Sequence, residues 1–107
     1  MKINPKLTKT NTIWSGNVYA VNQQTNIGQS LESGHLYAFE VKGLSSLYYE
    51  YIPFISNGAN QSIQHTTYDG NTAVRWRIDM TSNTFNLSSN SLNMGSNTAI
   101  TKLIRII

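Results

Sequence analysis

Two arginines and an aspartate recur at every second position of residues 73–80, as Arg75, Arg77 and Asp79. Period two puts Val74, Trp76, Ile78 and Met80 on one face of an extended chain and Ala73, Arg75, Arg77 and Asp79 on the other. Alternate strand residues stand about 6–7 Å apart. That spacing suits the hydroxyls of one or two sugar rings. The guanidinium groups supply planar forks of donors and the carboxylate supplies acceptors, so the row can serve hydroxyls or grip an anionic phosphate. The competing reading is an Arg77–Asp79 pair on a wet sheet face, worth about 0–1 kcal/mol. A sugar ring also needs a flat apolar surface, and Tyr48, Tyr49 and Tyr51 crowd one segment. Alternation places Tyr49 and Tyr51 on one face and Tyr48 on the other with Glu50, so at least one ring faces outward. Such a ring offers an apolar plane with a polar tip. The competing reading sets these tyrosines at the core rim with their hydroxyls in water.

Other reactive groups form no catalytic pattern. Five carboxylates, Glu32, Glu40, Glu50, Asp69 and Asp79, are enough for a hydrolase pair. However, Asp69 belongs to a turn, and Glu40 and Glu50 read as solvent-facing. No serine lies in a Gly-x-Ser-x-Gly elbow, and His35 and His65 read as surface or loop residues. With no cysteine and two separated histidines, no metal site and no cofactor are expected. The expectation is a binding protein rather than an enzyme.

The elements that would hold these side chains are strands. Asp69-Gly70 suits a tight hairpin ahead of the Arg75–Asp79 row. Further strands are expected over 12–21, around Ile27, over 35–42, 47–55, 62–68, 84–87 and 99–107. Tyr37, Phe39 and Val41 form a core row, and Trp14, Trp76 and Ile104 are expected in the core. Ile100, Ile104 and Ile106 share one side of the last strand, with Thr101, Leu103, Arg105 and Ile107 on the other. Gly16 marks a bulge or a close backbone approach, and Pro53, lacking a ladder donor, marks a sheet edge. Short turns at Glu32-Ser33-Gly34, Asn57-Gly58 and Thr81-Ser82-Asn83 separate the strands. Seven to nine short strands so spaced predict a single all-β antiparallel sandwich, jelly-roll-like and without substantial helix, over 12–107. Residues 1–11 read as an arm or linker.

Composition narrows the partners. The 107 residues suffice for one core. Charged residues are 12% of the chain, while Asn, Ser and Thr make up about a third. Neutral amides and hydroxyls therefore cover the surface, as befits neutral hydroxylated ligands or any charge-poor β-domain. The net charge of +3 comes from scattered residues rather than a clustered face, which argues against nucleic acid. No apolar run approaches a membrane span, and a soluble chain without a signal-peptide core is expected.

Three stretches carry a resemblance. Ile13-Trp14-Ser15-Gly16 at the opening, Tyr37-Ala38-Phe39-Glu40-Val41 in the middle and residues 97–106 at the close look like the small β-sandwich modules on tails and baseplates of bacteriophages infecting Gram-positive bacteria. The resemblance covers residues 12–107. It implies binding to host cell-wall polysaccharide during adsorption, contact with other tail or baseplate proteins, and a place in the virion after synthesis in the host cytoplasm. Receptor-binding heads of this kind are often homotrimers, although no heptad here enforces one. A structural virion protein, for decoration or assembly and binding only protein, is the alternative.

Overall fold

The computed structural model describes residues 10–19, 23–42, 49–69, 72–90 and 99–107, with backbone alone for 67–69, 72–74 and 88–90. These residues contain eight strands and no helix. They are β1 (Thr10–Val18), β2 (Gln24–Asn26), β3 (Leu36–Lys42), β4 (Tyr49–Ile55), β5 (Gln61–Asp69), β6 (Thr72–Met80), β7 (Thr84–Asn90) and β8 (Ile100–Ile106). All pairings are antiparallel, in a first sheet of order β1-β8-β3-β4 and a second of order β2-β7-β6-β5. The protein is thus an all-β sandwich, as the alternation predicts. The expected arm at residues 1–11 is corrected at its end, since Thr10 and Asn11 pair with β8 as the start of β1; residues 1–9 lie outside the described residues, as do Tyr48 and the hairpin turn at Gly70-Asn71.

Alternation supplies the core, because each strand turns one row inward to meet the other sheet. Tyr37, Phe39 and Val41 of β3 and Ile52 and Phe54 of β4 meet Trp76, Ile78 and Met80 of β6 and Phe85 and Leu87 of β7. Rings bridge the layers: Phe39 and Trp14 of the first sheet lie edge-on to Phe85 of the second at 5.1 and 4.9 Å. Phe54 stacks on Phe39 at 5.4 Å. Burying such side chains contributes about 1.5–3 kcal/mol each before conformational entropy is charged. One end is closed by residues 31–35, where Tyr37 Oη accepts the Glu32 N–H at 2.9 Å. Gly34 there and Gly58 in the facing turn take φ of +82° and +72°, which glycine adopts without a Cβ clash.

Local sequence signals hold where a backbone constraint acts. Pro53 lies on β4, the edge strand of the first sheet. Gly16 sits within a register shift of β1 and under the Trp14 ring, where a Cβ would come within 2.6 Å of Cζ2. Trp14 itself is half-buried rather than enclosed.

Strict alternation fails in β8. Between its partners Lys102 and Ile100, β3 advances by one residue, from Glu40 to Val41, so Thr101 is the extra residue of a bulge. The bulge reverses the phase. Ile100 and Leu103, three apart, are both fully buried, and Ile104 turns to the outer face opposite Ala38, where it is half-buried. The expected grouping of Ile104 with Ile100 in the core is therefore corrected, and Leu103 takes its place.

Candidate functional site: a polar groove on the second sheet

β6 is a central strand of the second sheet, and its inward row of Trp76, Ile78 and Met80 is buried. Arg75, Arg77 and Asp79 therefore face outward, as the sequence predicts. Arg77 Nε donates to Asp79 Oδ1 at 3.3 Å, and the side chains are 53% and 36% exposed. That is the wet-face ion pair expected as the competing reading. It does not use up the face, because Asp79 belongs to a second, transverse row.

Register builds that row. Ser62 of β5 pairs with Asp79 of β6, Asp79 with Asn86 of β7, and Asn86 with Gln24 of β2. Four polar residues thus line up across all four strands, over about 14 Å at the usual strand spacing. Ser62 Oγ donates to Asp79 Oδ1. A groove of about 350 Å³ runs along the row, and Thr81, Thr84, Asn60 and Gln61 form much of its wall. This lies at the small end of the range for small-molecule sites. The wall is held in place. Gln61 accepts the Asn57 N–H at 3.1 Å and donates to the Ile55 carbonyl at 2.8 Å, while the Thr81 and Thr84 hydroxyls stand 2.6 Å apart across the β6–β7 turn. Asn86 Oδ1 is closed off from solvent and, among the described residues, accepts no hydrogen bond. Sequence reasoning missed Ser62, Asn86 and Gln24. Each sits on the outward phase of its own strand, but only cross-strand register sets the three beside Asp79.

The tyrosines are elsewhere. Tyr49 and Tyr51 face outward on β4, in the first sheet, on the side of the sandwich opposite Arg75, Arg77 and Asp79. The expected combination of stacking ring and charged row is not brought together. Both rings are about half exposed, with Tyr49 across from Lys42 and Tyr51 across from Glu40. Tyr51 Oη donates to Glu40 Oε2 at 2.7 Å, and Thr101 Oγ1 stands 2.8 Å from Oε1. The bond to Glu40 is the main cause holding the Tyr51 hydroxyl's pKa above the ordinary 10.0.

Two acids are corrected here. Glu40 points outward but is buried, because Tyr51 lies across it and the β8 bulge supplies Thr101 beneath it. Glu50 shares the inward phase of Ile52 and Phe54 and meets His65 Nε2 at 2.5 Å, joining edge strands β4 and β5 of the two sheets. His65 is accordingly an inter-sheet contact rather than a surface histidine. Glu32 is held by Arg105 and His35. Among the described residues no group of three or more His, Cys, Asp or Glu gathers as metal ligands.

Fold and site together define an all-β two-sheet protein with a groove across one outer face, lined by hydroxyls, amides and the Asp79 carboxylate. Comparison with protein-family models, characterised proteins and solved structures finds no match to this chain.

Proposed function

We propose that the protein is a carbohydrate-binding module whose site is the outer groove of the second sheet. The transverse row Ser62–Asp79–Asn86–Gln24 carries this reading. Ser62, Asn86 and Gln24 both give and take hydrogen bonds and the Asp79 carboxylate accepts them, which suits sugar hydroxyls, and their fixed wall lowers the entropy lost on binding. The setting, a tail or baseplate of a phage that adsorbs to a Gram-positive wall alongside other tail proteins, is supported by the sequence resemblance alone. Binding of cell-wall polysaccharide is the test, with Gln24→Ala, Ser62→Ala and Asp79→Ala, all in the lining of the groove, each first shown to melt like the parent. Loss of affinity in two of the three is expected. Full retention in all three removes this groove as the site.

A second reading, a virion protein that binds only other protein, is favoured by the first sheet. Leu36, Tyr49, Tyr51 and Ile55 are exposed on its outer face around Pro53, and contiguous apolar surface of that kind commonly marks protein contact. It expects no saccharide signal on a glycan array.

A further inference from the structure

We infer that the site continues from the Ser62–Asp79 end of the groove along β5 and β6 into a second depression at Arg75, and so takes a segment of linked sugar units rather than a single one; this rests on the carbohydrate-binding reading. On the outer face of these strands the register pairs Ser62 with Asp79, Gln64 with Arg77 and Thr66 with Arg75. All six side chains are polar, and the first pair lines the groove. Thr66 and Arg75, with Gln64, rim a separate depression of about 300 Å³, whose floor is the intervening pair His65 and Trp76. Asp79 and Arg75 are four strand residues apart, about 13 Å. One sugar ring, matched already by neighbouring outward residues about 6–7 Å apart, does not reach both. A chain does. Arg77, donating to Asp79, stands between the two cavities. The Arg75 guanidinium, the Gln64 amide and the Thr66 hydroxyl are donors to ligand oxygens, and the last two also accept. β5 is an edge strand of the second sheet, so the depression lies at the sheet's margin, where a chain can run on into solvent. That suits an internal stretch of polymer better than a chain end. Linked units seated in both cavities gain affinity through effective concentration.

The experiment is a titration of the ¹⁵N-labelled full chain, followed by amide shifts. The probes are cell-wall polysaccharide from a Gram-positive bacterium, the size-fractionated oligosaccharides of its partial hydrolysate and its constituent single sugars. The polysaccharide and the longer fragments are expected to shift the amides of Gln64, Thr66 and Arg75 together with those of Ser62 and Asp79. They should also bind about tenfold or more tighter than any single sugar, the gain expected of units linked across two cavities. Arg75→Ala and Gln64→Ala, each first shown to melt like the parent, should weaken the long fragments more than the single sugars and so remove most of that gain. Three results overturn the inference while carbohydrate binding stands. One is a single sugar that binds as tightly as the long fragments. Another is bound polysaccharide that shifts Ser62 and Asp79 but leaves Gln64, Thr66 and Arg75 unmoved. The last is polysaccharide affinity equal to the parent's in both variants, which would send the chain across the strands instead of along them. If neither polysaccharide nor any fragment shifts an amide, the carbohydrate-binding reading fails as well.

Discussion

On the outer face of the second sheet, Ser62, Asp79, Asn86 and Gln24 cross four strands without an aliphatic side chain among them. On the first sheet the corresponding positions hold Pro53, Ala38, Ile104 and Thr12, with Ile55 and Leu36 beside them. Both faces arise from the same alternation and both face outward. The difference lies in what the outward phase carries. The polar face has an orphaned acceptor and a groove; the apolar face buries its one acid, Glu40, beneath Tyr51 and turns rings and aliphatic groups to water. A sandwich needs only its inner faces to fold, so its two outer faces are free to specialise. On the proposed readings, one takes a hydroxylated ligand and the other an apolar protein surface.

The largest test of this comparison is the facing of β6 itself. Trp76→Ala should cost about 3–5 kcal/mol in equilibrium denaturation, as expected for an aromatic removed from a core. Wild-type stability would mean that the Arg75–Asp79 row, not Trp76, faces the core. On the apolar side, Tyr51→Phe should alter the pH dependence of stability. The Tyr51 pKa is raised in the folded state, chiefly by the bond to Glu40. Its contribution is therefore fully present below the ordinary tyrosine value of 10.0 and is lost as pH rises through the folded value. Denaturation series above pH 10 should show a smaller alkaline loss in Tyr51→Phe than in the parent; identical profiles would remove Glu40–Tyr51 as a stabilising contact. The smallest effects belong to exposed positions. Ile55→Lys on the apolar face and Arg77→Ala on the polar face should each change stability by no more than about 0.5–1 kcal/mol. A larger loss for Ile55→Lys would show that the first sheet's outer face is packed rather than open.

Strand periodicity made much of this molecule legible. The row Tyr37, Phe39, Val41, the row Trp76, Ile78, Met80 and the outward Arg75, Arg77 and Asp79 all follow from period two in uninterrupted strands. Pro53 and Gly16 were readable because each imposes a backbone constraint whatever its surroundings. Two errors share another cause. The bulge at Thr101 changes phase within β8 and exchanges Ile104 for Leu103, and nothing local distinguishes a threonine that will be bulged from one that will not. The Glu40 and Glu50 errors arose because an acid's fate depends on its partners, and Tyr51, Thr101 and His65 reach those acids only across strands or between sheets.

The amino-acid sequence by itself therefore determined the fold class, the inner rows and the outward charges, since these depend on neighbours one or two residues away. Tertiary structure alone decided that Tyr49 and Tyr51 lie on the opposite side from Asp79, because the strands that carry them enter different sheets. It also decided that Ser62, Asn86 and Gln24 stand beside Asp79. They are 17, 7 and 55 residues away along the chain, and hydrogen-bonded register across β5, β6, β7 and β2 is what joins them into one row.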